Sequence, residues 1–207
     1  MLVPKSLSTI LNLVFPSLVF RIPVMEKILY LTFDDGPSGQ TTEFILETLG
    51  KYNAHATFFC LGENMEDFPE LHQKLMLSEN QIGNHCWKHK NALFRGTGDL
   101  LFDIERTAEF TGSMLFRPPY GRLWPWQILK IQKKYKIIMW DVMIPDYKSD
   151  LDSIKYMDRI FPAICNGSII VMHDSAKSRN QLFSILPIFL KHFSDKGFRF
   201  ESIPLDI

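Results

Sequence analysis

An α/β barrel of about seven parallel strands, with helices outside, is the fold that the sequence predicts. Three observations predict it. Apolar, strand-like runs alternate with helix-like periodic segments from residue 27 to the end of the 207-residue chain, the pattern of βα units on a parallel sheet. Hydrophobic residues make up 46% of the chain and charged residues 22%, enough apolar material for one sizeable core. Reactive side chains fall just after successive strand-like runs, and parallel barrels gather such residues on one rim.

Each element follows from its own signals. Lys27 to Phe33 is a β-prone run ended by Asp34, Asp35, Gly36 and Pro37. Thr41 or Thr42 caps a helix whose Ile45, Leu49 and Tyr52 share a face, and Ala56 to Leu61 is the second strand. Pro69 opens a helix with Leu71 and Leu75 on its apolar stripe, leading to a third strand around Gln81 to Gly83. Asp99 caps the next helix, where Leu100, Ile104 and Ala108 fall four apart. Leu115 to Arg117 is extended, because the prolines that follow forbid helix. Trp126 to Lys134 reads as helix, Lys136 to Val142 as a buried strand and Ile154 to Ile164 as helix. Asn166 and Gly167 break the chain before a strand at Ser168 to Met172. A helix at Leu182 to Phe193, kinked at Pro187, and a final strand at Phe198 to Ile203 complete the pattern.

Charge and cysteine content narrow the function. The 23 basic and 23 acidic residues cancel, which argues against a nucleic-acid partner or an anionic membrane surface bound by bulk charge. A substrate recognised by shape and hydrogen bonds fits better. The three cysteines lack paired spacing, so free thiols are expected. The apolar stretch Leu7 to Phe20 is interrupted by Asn12 and Pro16 and is shorter than the about 20 residues of a membrane span. No small-x-small cleavage site follows it. Residues 1–25 are therefore expected to pack on a single domain of residues 26–207, with no membrane span and a cytoplasmic location.

The reactive residues fall at strand ends. Asp34 and Asp35 follow the first strand, His85 and His89 the third, Arg117 and Tyr120 the fourth, Asp141 and Asp146 the fifth, and His173 and Asp174 the sixth. Two histidines four apart can present both rings to one ion; alone they are as readily two surface histidines. Joined by one carboxylate from the first strand's end, they form a two-His, one-Asp set that leaves room for water on a catalytic zinc. Adjacent acids repel, so Asp34–Asp35 makes sense beside a cation. Their side chains point to opposite sides, so one can ligate while the other handles protons. Asp-Gly-Pro is also good turn chemistry by itself. Arg117-Pro118-Pro119-Tyr120-Gly121 can hold the Tyr120 amide rigidly for an oxyanion, or be a proline-rich connection. His173 is placed for a general acid, or for a core histidine bonded to a carbonyl.

These motifs resemble those of the NodB-like polysaccharide deacetylases of carbohydrate esterase family 4, in the family's order, across residues 26–207. Thr32-Phe33-Asp34-Asp35-Gly36-Pro37 looks like the first motif, His85 to His89 the second and Arg117 to Gly121 the third. Trp140-Asp141 through Asp146-Tyr147 looks like the fourth and Val171-Met172-His173-Asp174 the fifth. The resemblance implies one divalent ion, zinc or a similar ion such as cobalt, on Asp35, His85 and His89. It implies Asp34 as catalytic base oriented by Arg117, the Tyr120 amide on the oxyanion, and His173 tuned by Asp146 as acid. Tyr120, Tyr147, Val171 and Trp140 would touch an N-acetylated sugar, with Met172 adding to the apolar wall. Cys86 replaces the usual Ser or Thr and is expected to keep a loop role. Tyr147 replaces the usual Trp and implies a smaller, wetter wall beside the acetyl group. The implied activity is removal of N-acetyl groups from peptidoglycan or chitin-like glycan. O-acetyl esters, a non-carbohydrate amide, or an inactive sugar-binding protein are the alternatives.

Overall fold

The computed structural model describes residues 15–148 and 152–205. Nine strands are present among them: β1 (Leu18–Val19), β2 (Ile28–Asp34), β3 (Thr57–Cys60), β4 (Gln81–Asn84), β5 (Leu115–Phe116), β6 (Lys136–Ile138), β7 (Val142–Met143), β8 (Ile169–His173) and β9 (Arg199–Glu201). Seven helices join them: α1 (Gly39–Lys51), α2 (Gly62–Asp67), α3 (Pro69–Met76), α4 (Thr97–Thr111), α5 (Pro125–Ile131), α6 (Ser153–Ile160) and α7 (Arg179–Asp195). All ladders between these strands are parallel, in the order β1-β6-β5-β4-β3-β2-β8-β7. β9 pairs with Ile28–Tyr30 of β2, and β3 pairs with Thr32–Asp34.

The seven expected strand positions are all occupied, and the fifth divides. Residues 136–143 leave the sheet's β5 side as β6 and rejoin it beside β8 as β7. One continuous stretch thus spans the opening and curls the sheet into a distorted barrel. β1 lies on the outer edge of β6. An antiparallel bridge between Arg21 and Ser168, with Ile22 N–H donating to Gly167 O at 3.0 Å, closes the remaining seam. Gly167 is required there: its φ is +76°, and a Cβ would fall 1.7 Å from Ile22 O. Leu18 and Phe20 are buried beside Ile131 and Ile137. The rest of the apolar N-terminal stretch, residues 7–14, lies outside the described residues. No helix among the described residues is long and apolar enough to cross a membrane.

Strand alternation sorts the core. Leu29, Leu31 and Phe33 of β2 pack outward with Ile45 and Leu49 of α1 and with Ile185, Leu186 and Phe189 of α7. Tyr30 points inward, in a cluster with Phe59, Ile138, Trp140 and Val171. Thr32 and Asp34 share its parity, so the one acid of β2, Asp34, belongs to the barrel interior. Burying each such apolar side chain contributes about 1.5–3 kcal/mol. Two helix starts differ from expectation by local capping. α1 begins after Ser38, whose N–H donates to Thr42 Oγ1 at 2.6 Å, and α4 begins after Gly96, with Asp99 in its first turn.

Candidate active site

β2 delivers Asp34 to the barrel interior, and the chain then turns sharply, with Asp35 at φ 77°. Asp34 is buried, and its Oδ1 accepts a hydrogen bond from Arg117 Nη1 at 2.6 Å. Arg117 itself is fully buried. It also donates to Thr32 Oγ1 (2.7 Å), Ile138 O (3.1 Å) and Met139 O (2.9 Å), and its guanidinium lies 4.1 Å from the Phe59 ring. Burial pulls the Arg117 pKa down while Asp34 pushes it back. Five donors in a fixed fork suit such a hub, and lysine could not reproduce it.

Asp35 stands opposite the two histidines. Its Oδ1 is 3.5 Å from Nε2 of both His85 and His89, and the three ligand atoms lie within 4.8 Å of one another. That oxygen is buried without a well-formed hydrogen bond, an unsatisfied state that normally signals a missing partner. Ligand bonds of about 2 Å at tetrahedral angles separate zinc ligands by roughly 3.3 Å, so the triangle fits a divalent ion. His85 Nδ1 faces Arg117 O at 2.8 Å. A carbonyl only accepts, so Nδ1 carries the proton and Nε2 keeps its lone pair for a metal. Burial raises the Asp35 pKa, but His85, His173 and His89 outweigh it and hold the carboxyl at about 2. Burial and His85 lower the pKa of His89, favouring the neutral ring that ligation needs.

Local structure explains this placement. His85 to His89 is a loop, not a helical turn. The first amides of α2, which have no partners inside their helix, donate to Cys86 O (3.0 Å) and Trp87 O (3.1 Å). Asn84 Oδ1 accepts from Cys86 N at 2.9 Å, and Asn64 Nδ2 donates to Asp35 O at 2.6 Å. Cys86 sits at φ 70° with its thiol in the apolar cluster of Leu100, Ile104 and Phe116. Burial pushes its pKa up, so it is a loop anchor pointing away from the ion site. Asp35, Cys86 and Tyr120 are three of the four non-glycine residues with positive φ among those described; the fourth, Asn53, follows the C-terminal end of α1. Left-handed backbone costs such residues about 1–2 kcal/mol each and gathers at functional sites.

The other wall of a cavity of about 490 Å³ completes the set. Its lining includes Asp34, Asp35, His85, His89, Tyr120, Gly121, Trp140, Met143, Tyr147 and His173. Tyr120, at φ 61° after Pro118 and Pro119, packs against His89 with ring centroids 4.4 Å apart and planes tilted by 55°. Gly121, at φ +64°, leaves room for Trp140, whose ring would lie 2.2 Å from a Cβ. Asp146 is fully buried: its Oδ1 is 2.6 Å from His173 Nδ1, and its Oδ2 accepts from His173 N at 2.7 Å. A buried carboxylate requires Nδ1–H, leaving Nε2 as the exchangeable position. Burial lowers the His173 pKa, but Asp146, Asp34 and Asp35 outweigh it, and the value reaches about 9. Burial raises the pKa of Asp146 and His173 opposes it.

Four residues sit elsewhere than expected. Val171 is fully buried in the barrel interior and Met172 packs on the helix side, because β8 runs beneath the pocket floor; Met143 stands on the wall instead. Asp141 lies at the opposite end of the barrel, its Oδ2 accepting from Arg21 Nη2 and Ser168 Oγ, each at 2.6 Å. The split of the fifth strand carries it there. Asp174 is buried behind the rim, accepting from Thr42 Oγ1 at 2.7 Å, and burial lifts its carboxyl to about 7. Sequence reasoning missed Arg122 and Lys177 on the pocket wall and the braces Asn64 and Asn84. Arg122 directly follows the proline-rich segment and Lys177 lies four beyond His173, so extending the strand-end rule by a few residues finds both.

A curled parallel barrel with an arginine-held carboxylate and a carboxylate-bound histidine side by side on adjacent strands at one rim belongs to the class of NodB-like carbohydrate esterases. The family described as Polysaccharide deacetylase matches residues 21–140, and the chain belongs to that family. It is 31% identical over 188 residues to the peptidoglycan-N-acetylmuramic acid deacetylase PdaC of Bacillus subtilis, a match that covers 86% of this chain and 38% of that protein. It is 30% identical over 196 residues to a peptidoglycan-N-acetylglucosamine deacetylase of Bacillus cereus, covering 89% of this chain and 70% of that one. Among solved structures, the Bc1960 peptidoglycan N-acetylglucosamine deacetylase superposes with a TM-score of 0.85 at 28% identity, covering 91% of each chain.

Proposed function

We propose that this protein is a metal-dependent hydrolase that removes N-acetyl groups from N-acetylglucosamine-containing glycan of the peptidoglycan or chitin-like kind. The observation that carries this reading is the unsatisfied Asp35 oxygen equidistant from His85 and His89, in one cavity with Asp34 and His173. Asp35 Oδ1, His85 Nε2 and His89 Nε2 would hold the ion, zinc or a similar one such as cobalt. Such an ion supplies Lewis-acid polarisation and acidifies water.

The chain's own groups do the rest. Asp34 takes a proton from the attacking water at its carboxylate, and Arg117 fixes that carboxylate through Oδ1. The Tyr120 amide, held by two preceding prolines, donates to the oxygen that gains negative charge. Tyr147, Trp140 and Met143 line the space for the acetyl group and keep water from the breaking bond. His173 gives its Nε2 proton to the departing amine, while Asp146 holds Nδ1. The acetamide C–N bond breaks, leaving acetate and a free amine.

The test is acetate release from N-acetylglucosamine oligomers by chelator-stripped protein, with and without added zinc, beside an Asp34→Asn variant. Zinc-dependent release that the variant abolishes supports the reading. Metal binding without acetate release removes the N-acetyl sugar assignment and makes O-acetyl esters the next panel.

A further inference from the structure

The geometry points to selection of glycans that carry carboxylates beside the scissile acetamide, with Arg122 and Lys177 as the groups that read them. This deepens, and rests on, the deacetylase reading above. The acids Asp34, Asp146 and Asp35 already have partners of their own. Asp34 has Arg117 at 2.6 Å, Asp146 has His173 at 2.6 Å, and Asp35 has two histidines at 3.5 Å and the ion they would hold with it. Arg122 and Lys177 line the same cavity, are exposed, and have no carboxylate in ion-pair range among the described residues.

Their positions suit an extended anionic ligand. Arg122 follows β5 and Lys177 follows β8, and β4, β3 and β2 separate those strands in the sheet, so the two cations stand on different walls of the cavity. Lys177 Nζ lies 5.6 Å from the Tyr147 ring centroid, over the wall that also bears His173. The chain as a whole is neutral, with 23 basic and 23 acidic residues, so this surplus is local to the cleft, where a low-dielectric wall focuses it. Sugar hydroxyls can accept hydrogen bonds from either side chain but leave both charges unmatched. A strand with carboxylates on its sugars matches them, which makes a neutral chitin-like oligomer the poorer ligand.

The experiment uses the full chain loaded with zinc and three tetrasaccharides. One is N-acetylchitotetraose; the second alternates N-acetylglucosamine with N-acetylmuramic acid bearing free lactyl carboxylates; the third is the methyl ester of the second. Affinity by calorimetry and acetate release are measured for wild type, Arg122→Gln, Lys177→Gln and the double variant. The free-acid glycan is expected to bind more tightly than its ester. That ratio should fall about five-fold with each substitution, the scale of an exposed ion pair, and should also fall when salt is raised from about 0.05 to 0.5 M. Equal affinity for acid and ester overturns the inference, as does a loss of the same factor on all three glycans. Acetate release without that affinity ratio leaves the deacetylase reading standing alone; the ratio without acetate release removes the deacetylase reading and keeps the anion site.

Discussion

At the lower end of β8, Asp141 receives Arg21 and Ser168, each at 2.6 Å, across the seam that closes the barrel. At the upper end, Asp35 is half-buried with one buried oxygen unsatisfied, on a backbone at φ 77°, facing two histidines. Both sites pair an acid with basic side chains, yet one is satisfied by the protein and the other is not. A satisfied pair on relaxed backbone is explained by closure of the fold. An unsatisfied acid on strained backbone is explained only by something the chain binds.

Substitutions can separate the two ends. The largest expected effect is at the rim: His173→Ala should lower acetate release by about 100- to 10,000-fold, the usual contribution of a positioned acid. Its melting temperature should also fall, because the fully buried Asp146 loses its partner, so release is compared per folded molecule, with the folded fraction read by calorimetric scanning. At the seam only stability is at stake. Asp141→Ala leaves the half-buried Arg21 guanidinium unpaired at a cost of about 2–3 kcal/mol. For a chain of this size that is roughly 5–10 °C in melting temperature, while acetate release per folded molecule at low temperature should persist.

A titration sharpens the contrast further. His173 is raised to about 9 in the folded chain by Asp146 and the rim acids, against about 6.5 when unfolded. The folded state binds this proton more tightly. Its contribution is therefore fully present below pH 6.5 and is lost as pH rises through about 9. Metal-free protein should lose melting temperature across that window, and Asp146→Asn should flatten the slope; an unchanged slope contradicts the pairing. The smallest effect concerns the loop between the ligands. Cys86→Ser buries a hydroxyl in an apolar cluster at about 1–2 kcal/mol, lowering the melting temperature while leaving zinc affinity unchanged.

Most of the barrel and rim was legible in the sequence because both rest on short-range signals. A β-prone run ended by Asp-Asp-Gly-Pro, and another preceded by Asn-Gly, need no knowledge of distant partners. What escaped was long-range. The division of residues 136–143 depends on which neighbours each half meets, and that division carries Asp141 to the seam. The burial of Val171 depends on how far β8 projects past the pocket floor. Spacing alone leaves Arg117 open as an exposed cation before a proline-rich turn, and only the resemblance ties it to Asp34; it is fully buried. Only the convergence of Thr32 and Asp34 of β2 with Ile138 and Met139 at the end of β6 makes that burial tolerable.

The central claim is that Asp35, His85 and His89 form one metal centre, and a calorimetric titration of zinc into chelator-stripped protein tests it most directly. One site per chain is expected, weakened at least about 100-fold by Asp35→Asn or His89→Ala with the fold intact by circular dichroism. Wild-type affinity in both variants, or no saturable binding to the wild type, would contradict it.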